Sequence, residues 1–404
     1  MRTSVQKADP KGYRRTIARI RAISTARISA PLMVGEMIVA LGMALKTNSH
    51  PAVYVLPTPD TPAHDFVVWR GTETMTEELR MALEANFWPG PASVPRPHDV
   101  FRADTTQRIV AATLWGEGVA DAERWEALWR ERLVKHGLYA VFVAQSGTMC
   151  VALMSRGPND PPFSAADIAL VRACAPIIEE AIDRPQDEDI GLTDCDSVCY
   201  LRLGPDQSIS AMSWRSMEIL RQLGGGRRDG IAWARTCIEQ AVVRVARDST
   251  LSDQERERLT LAGGVLERPM RQALLDLSTV GPEYHAQLMQ PLTVETNPFG
   301  RFALALVALA DTSGRVEWLV TLRRYVPIGL LALRGALEVG AAARELELLA
   351  HLDYTSSIEA AALRIAVSPA TARTLMDRLA ERVGASGAWV TWEKLRDIGR
   401  HVVR

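Results

Sequence analysis

Residues Val367–Ser386 read VSPATARTLMDRLAERVGAS, and this stretch carries the clearest structural signal in the chain. Ser368 stands directly before a run of helix-forming residues and predicts a helix N-cap. Ala372, Leu375 and Leu379 follow at spacings of three and four, so they share one face of that helix. The run ends at a glycine, which is typical of a helix C-terminus. The stretch therefore predicts a capped amphipathic helix.

A shorter helix precedes this one, and the two together resemble the LuxR-type helix-turn-helix. The correspondence runs without a gap from Ser357 to Ser386. Ala362 matches the family's small alanine, which lets the two helices cross closely. Ser368 and Thr371 match the serine and threonine that open its recognition helix. Four further residues match the family's apolar residues and its leucine–glycine pair: Ile365, Val367 and Val383-Gly384.

The resemblance implies DNA binding, with the recognition helix in the major groove. The predicted DNA-contacting residues are Ser368, Thr371, Arg373, Thr374, Asp377, Arg378 and Arg382. Arg373 is expected to be the main base reader, because arginine suits the edge of guanine. Ser368, Thr371 and Arg378 are expected to hold backbone phosphates.

The same segment departs from the family pattern in ways that leave a second interpretation open. Asp377 would face the groove and meet phosphate repulsion unless a neighbouring arginine neutralises it. Residues 343–404 hold nine Lys and Arg against eight Asp and Glu, a net charge of +1. A helix-turn-helix that contacts protein instead of DNA is the alternative. The residues that differ from the family are Thr355, Ala360, Ala361 and Ala372.

Residues 29–184 have a layout of strands and helices that resembles a GAF domain, and residues 1–28 add an Arg-rich amphipathic helix. Strands are predicted at AVYVLP, DFVVWR, RIVAATLW, YAVFVAQ and MCVALMS, and an intervening helix at DAERWEALWRERLVKHG. In the closing segment, SRGPNDPPFSAADIALVRACAPIIEEAI, Ser164 predicts an N-cap with Asp167 three residues on. The apolar face of that helix is predicted to be Ile168, Val171, Cys174 and Ile177.

Residues 185–194 read as a charged, Pro-containing linker. Residues 195–325 then follow a layout of two strands, helices and three strands, which resembles a PAS domain; TNPFG and DTSG would be its turns. Residues 326–342 are expected to form a connecting helix, within a helical pattern that continues to about Leu352. Residues 343–404 form the helix-turn-helix domain.

The composition agrees with this organisation. The chain has 404 residues, is 47% hydrophobic and carries a net charge of −1, so any attraction to DNA must be local. The predicted fold class is α+β multidomain, with GAF-like and PAS-like α/β sensor domains followed by an all-α helix-turn-helix domain. No apolar stretch is long enough to span a bilayer. The five cysteines are expected to be ordinary buried thiols without a metal.

The chain shows no sequence motif of a catalytic site. It has no nucleophile elbow, Walker loop, Rossmann fingerprint or HExxH sequence, so we expect no enzyme. The glycine-rich LGGGRRDG lacks the GK[ST] ending and is interpreted as a loop. An aromatic ligand pocket could form in the first region, although ordinary core packing is the alternative. Its candidate lining residues are Phe66, Trp69, Trp88 and Trp115.

These observations predict a cytoplasmic transcriptional regulator that acts as a homodimer. Its sensor region would respond to an unidentified small-molecule ligand or partner, with the cofactor unknown, and would control binding to double-stranded DNA. The alternative is a non-catalytic sensor or scaffold protein that acts by protein–protein contact through a degenerate helix-turn-helix. An enzyme with an unrecognised site is the third and least favoured interpretation.

Overall fold

The structure is a computed structural model, and it describes residues 10–47, 49–56, 66–69, 108–113, 135–184, 191–203, 209–212, 219–220, 222–223, 292–297, 299–310, 316–352 and 357–401. The chain divides into two compact units. The first combines Met1–Ile190 with Ile328–Arg404, and the second is Gly191–Pro327. The N-terminal and C-terminal parts of the chain therefore belong to one unit. The sequence had predicted separate domains that follow one another along the chain.

A five-stranded antiparallel sheet lies in the first unit. Its strands run in the order β2-β1-β5-β4-β3. All five predicted strands of this region are confirmed. Helices α1 and α2 precede the sheet and α3 follows it, and α3 packs on α2 and on the sheet. The elements are α1 (Pro10–Ser24), α2 (Ala30–Ala44), β1 (Ser49–Leu56), β2 (Phe66–Trp69), β3 (Ile109–Thr113), β4 (His136–Val143), β5 (Met149–Arg156) and α3 (Ala165–Ile182).

Arg156, at the end of β5, ties three elements of this unit together. Its guanidinium Nε donates to the Leu45 carbonyl at 3.1 Å, just beyond α2. Its Nη1 donates to the carbonyls of Pro161 and Pro162 and pairs with the Asp167 carboxylate at 3.4 Å. The guanidinium carbon Cζ of Arg156 also lies 4.2 Å from the ring centroid of Phe163. One buried cation therefore fixes the course of the Pro-rich segment that leads into α3.

The predicted N-cap of α3 is confirmed. The Ser164 hydroxyl accepts from the Asp167 backbone N–H at 3.2 Å, and the Asp167 carboxylate accepts from the Ser164 backbone N–H at 2.8 Å. This reciprocal pair is a capping box. The buried face differs in part from the predicted one, because Ile168 and Ile177 are only half-buried. The fully buried residues include Leu170, Val171, Cys174, Ile178 and Ala181.

A second five-stranded antiparallel sheet forms the second unit, in the order β7-β6-β10-β9-β8. Counted along the chain, its strands have the same order as those of the first sheet. The strand β6 begins at Leu192, inside the predicted linker, and β10 continues to Pro327. The elements are β6 (Leu192–Leu203), β7 (Ile209–Met212), β8 (Leu292–Asn297), β9 (Gly300–Ala310) and β10 (Val316–Pro327).

The predicted turn at TNPFG is confirmed as the link between β8 and β9. Asn297 accepts from the Phe299 N–H at 2.9 Å and donates through its side-chain amide to the carbonyls of Gln222 and Leu223. Gly300 follows with φ of +134°, a conformation that favours glycine. The second predicted turn, DTSG, lies outside the described residues.

The C-terminal part of the first unit is all helical, as predicted. Its helices are α4 (Ile328–Glu338), α5 (Ala343–His351), α6 (Ile358–Arg364), α7 (Pro369–Val383) and α8 (Ala388–His401). The continuous helical pattern expected up to Leu352 is interrupted, because α4 ends before Gly340 and α5 starts anew. Nor does α4 stand apart as a connector: it packs along α8 within the bundle, and α5 packs on α1.

None of the helices within the described ranges has the length and hydrophobicity that crossing a bilayer requires. The predicted helix DAERWEALWRERLVKHG lies mostly outside the described residues. Its last two residues, His136 and Gly137, are the first residues of β4 instead of the end of a helix.

Candidate nucleic-acid interface

Helix α7 begins as the sequence predicted. Ser368 has extended backbone angles, and its hydroxyl accepts from the Thr371 backbone N–H at 3.1 Å. The hydroxyl oxygens of Ser368 and Thr371 lie 2.9 Å apart. Pro369 occupies the first helical position, where a missing N–H costs nothing. At the other end, Gly384 adopts the left-handed conformation that closes the helix.

Small buried side chains bring α6 and α7 together. Ala361 and Ala362 of α6 are fully buried, and so is Ala372 of α7. The predicted docking face of α7 is confirmed, because Leu375 and Leu379 are buried with Ala372. The turn between the helices passes through Ala366, whose φ of +53° is unusual for a residue with a Cβ. The two helices thus form a helix-turn-helix with an alanine-rich contact.

The residues predicted to face bases lie on the exposed side of α7. Arg373, Thr374 and Asp377 are all exposed, as are Ser368 and Thr371 at the start of the helix. The Thr374 hydroxyl donates to the Ala370 carbonyl of its own helix at 3.1 Å. The face that could meet a duplex is therefore open, and its N-terminal end carries the capping hydroxyls.

Arg373 is engaged by an acidic residue of the preceding helix. Its Nη2 lies 2.7 Å from Oε1 of Glu359, and both side chains are at least half exposed. The hydrogen bond from Arg373 holds the pKa of Glu359 below its ordinary value. Sequence reasoning missed Glu359, since the two residues are fourteen apart and no local spacing connects them. The arginine expected to read bases is thus paired with a carboxylate in the absence of a ligand.

The exposed face of α7 is close to electrically balanced. Arg373 and Arg378 face solvent there together with Asp377 and Glu381. Within the described part of the chain, Arg378 forms no ion pair. The Arg378 cation is thus available to a phosphate, while the two carboxylates would oppose a polyanion.

Arg382 and Lys394 both donate to backbone carbonyls at the ends of helices in the bundle. Arg382 donates through Nη1 to the Gly340 carbonyl at 2.6 Å, and its Nη2 lies 3.3 Å from the Glu345 carboxylate. Lys394 of α8 donates to the Gly384 carbonyl at 2.6 Å, at the end of α7. Cations at helix C-termini stabilise the carbonyls left open there. Arg382, which was predicted to contact DNA, is therefore engaged by groups of the protein itself.

Large apolar side chains remain exposed beside this face. Leu363 of α6 is 83% exposed, and Trp389 and Val390 at the start of α8 are 47% and 41% exposed. Trp392, one turn further along α8, is buried. The tryptophans of the C-terminal tail thus divide between core packing and the surface.

His351 ends α5 on the side that meets the N-terminal part of the unit. Burial lowers its pKa, and the nearby charges of Arg364, Arg184 and Arg27 lower it further against the opposing carboxylate of Glu347. The imidazole is therefore favoured in its neutral form where the bundle packs on the sheet region.

The sensor-site predictions are not tested by the structure. Trp88 and Trp115 lie outside the described residues, as does nearly all of the LGGGRRDG segment. The backbone of β2 includes Phe66 and Trp69, but their side chains are outside the description as well.

The cysteines that are described behave as buried thiols. Cys150, Cys174 and Cys195 are buried and free. Burial raises the pKa of the Cys174 thiol to about 12 and that of Cys150 further still. Among the described residues, no group of three or more His, Cys, Asp or Glu side chains is arranged to hold a metal ion.

No protein-family model and no curated protein matches this chain.

Proposed function

We propose that the protein is a DNA-binding transcriptional regulator in which the N-terminal and middle regions act as sensors for the C-terminal helix-turn-helix. The observation that carries this proposal is the arrangement of α7. The helix is capped by Ser368, it buries Ala372, Leu375 and Leu379 against the bundle, and it leaves the predicted base-facing side chains exposed. A helix held in this way presents its exposed side chains to a major groove.

The mode of recognition follows from the exposed side chains. Arg373 reads a guanine edge after it releases Glu359, and Arg378 binds a phosphate. Ser368 and Thr371 approach the phosphate backbone from the helix N-terminus, where backbone N–H groups favour anions. One short helix gives limited specificity, so two copies of the chain would bind two half-sites.

The proposal for the sensor rests on the two sheets. Each has five antiparallel strands in the same order, with two strands separated by a long connection from the other three. This repeated layout supports related GAF-like and PAS-like sensor folds in tandem. An unidentified small molecule is the proposed signal for these sensor folds.

Selection from a random-sequence duplex pool at two salt concentrations tests the DNA proposal. The wild-type chain should enrich one motif. Arg373→Ala should lose that motif but keep the salt-dependent background that phosphate contacts provide. Glu359→Gln should keep the motif and bind it more tightly, because Arg373 is released and a negative charge is removed. No enriched motif, with affinity independent of salt, would refute the proposal.

A second candidate function is protein–protein contact through the same module. The carboxylates of Asp377 and Glu381 on the exposed face of α7 favour it, since they oppose a polyanion, and Leu363 of the adjoining helix is 83% exposed and accessible to a partner. Under this alternative, Leu363→Ser would remove partner binding and leave the duplex selection unchanged.

A further inference from the structure

The turn between α4 and α5 receives side chains from two distant helices. Arg19 of α1 donates through Nη2 to the Gly340 carbonyl at 3.1 Å. Arg382, in the last turn of α7, donates to the same oxygen at 2.6 Å. One carbonyl thus joins the first helix of the chain to the helix that carries the predicted base reader.

The Gly340 carbonyl can accept hydrogen bonds from both arginines because of the way α4 ends. The Ala341 N–H donates to the Ala336 carbonyl at 2.9 Å and the Gly340 N–H donates to the Leu337 carbonyl at 3.1 Å. Gly340 has φ of +73°, so the pattern is a Schellman cap. The C-terminal end of a helix carries partial negative charge, and guanidinium groups complement it.

A buried carboxylate fixes Arg382 in this place. Glu345 of α5 is 1% exposed, and it accepts from the Ala342 N–H at 2.7 Å. The same carboxylate lies 3.3 Å from Arg382 Nη2. Arg382 is therefore held between a helix C-terminus and a buried acid, and a tilt of α7 at this end would disturb these contacts.

The other end of the connection is anchored in the N-terminal region. Helix α1 packs on α2 and α3. Arg184, just after α3, donates to the Ser24 carbonyl at the end of α1. A change in the sheet region that moves α3 would therefore move α1 and, with it, Arg19.

We propose that Arg19 and Arg382 are positioning residues, and that the N-terminal region sets the orientation of α7 through the shared Gly340 carbonyl. This inference rests on the proposed function, because it names how the sensor reaches the DNA-reading helix. Arg382 and Arg373 are nine residues apart, which is about 14 Å along a helix. A small tilt at Arg382 is thus enough to shift Arg373 relative to a base edge.

Hydrogen–deuterium exchange of the full chain, without DNA, tests the connection. Arg19→Ala should accelerate exchange of the amides of residues 378–384 roughly fivefold, since loss of a charged hydrogen bond eases local opening. Arg382→Ala should affect the same amides. Arg19→Lys, which keeps a cationic donor, should restore most of the protection. Arg15→Ala, an exposed arginine one turn earlier on α1, is the matched control and should change nothing there.

The outcomes separate this inference from the DNA proposal. Unchanged exchange of residues 378–384 in Arg19→Ala overturns the inference, even where the duplex selection yields a motif. Faster exchange in Arg19→Ala with rescue by lysine supports it, even where the selection yields none. If a motif is found, the Arg19→Ala and Arg382→Ala effects on affinity should be less than additive in the double variant, because both act through one oxygen.

Discussion

Arg334 and Glu36 form the most deeply buried ion pair among the described residues. Nε of Arg334 lies 2.7 Å from Oε1 of Glu36, and the side chains are 7% and 2% exposed. The pair joins α4 to α2 across 298 positions of sequence. Nη1 of Arg334 is buried without a hydrogen-bond partner, so the pair is incompletely compensated for its desolvation.

Breaking this pair on one side should be costly. Arg334→Met removes the cation that pairs with the buried Glu36 carboxylate, and we expect a loss of about 3–5 kcal/mol in unfolding free energy. Adding Glu36→Met should recover most of that loss, since two apolar side chains replace two charges. Urea denaturation of the full chain measures both effects.

The control for this experiment is an exposed pair on the neighbouring helix. Arg344 and Glu347 lie 2.6 Å apart, with Arg344 61% exposed. Arg344→Met should cost less than about 1 kcal/mol, because water screens the pair. If Arg334→Met costs no more unfolding free energy than Arg344→Met, the buried pair is not essential for joining α4 to α2.

At the scale of elements, the crossing of α4 and α8 depends on two glycines. A Cβ at Gly335 would lie 2.7 Å from the carbonyl carbon of Leu395, and one at Gly399 would lie 2.8 Å from that of Leu331. Each glycine thus faces the backbone of the opposite helix. The close approach explains why α4 belongs to the bundle and is not a free connector.

Alanine at either glycine should therefore force the two helices apart. We expect Gly335→Ala and Gly399→Ala each to cost about 2 kcal/mol or more, because backbone cannot yield as a side chain can. Gly329→Ala is the matched control on α4, since nothing lies within 4 Å of its Cβ. It should be neutral or up to about 1 kcal/mol more stable. Equal melting temperatures for all three variants would contradict the close crossing.

Local signals in the sequence explain which elements could be predicted. The caps at Ser164 and Ser368 bond to backbone groups three residues away, so a short stretch suffices to recognise them. The strands of both sheets alternate or run apolar over a few residues and are bounded by turn residues. These signals fixed the fold class, the helix-turn-helix and the exposed face of α7.

The contacts around Gly340 could not be predicted in the same way. The stretch GLLALRGALEVGAAARELELLAHL is rich in Ala, Leu and Glu, and a lone glycine is compatible with a helix. The break at Gly340 receives Arg19 and Arg382, which lie 321 and 42 positions away. The pairing of Arg382 with Gly340 and Glu345, and that of Arg373 with Glu359, depend equally on tertiary contact.

For the whole molecule, the largest difference from the sequence analysis is that the chain's two ends form one unit. Residues 343–404 are predicted to be a separate domain, but α5 packs on α1. The predicted connector, residues 326–342, is likewise joined to the N-terminal region, because Arg334 pairs with Glu36. The middle unit, Gly191–Pro327, has its own sheet and interrupts the first unit in sequence. The N-terminal region is therefore in direct contact with the helical bundle that holds the helix-turn-helix.

This arrangement predicts that the first unit assembles from two separate polypeptides. Residues 1–190 and 328–404, expressed together without the middle unit, should purify as a complex and unfold in one transition. Glu36→Arg should abolish the complex, because it places a second cation against buried Arg334. Glu381→Arg makes the same change of charge on the exposed face of α7 and should leave the complex intact. Separate elution of the two wild-type polypeptides, each folded, would mean that the helical bundle is an independent domain and that its contacts with α1 and α2 contribute little.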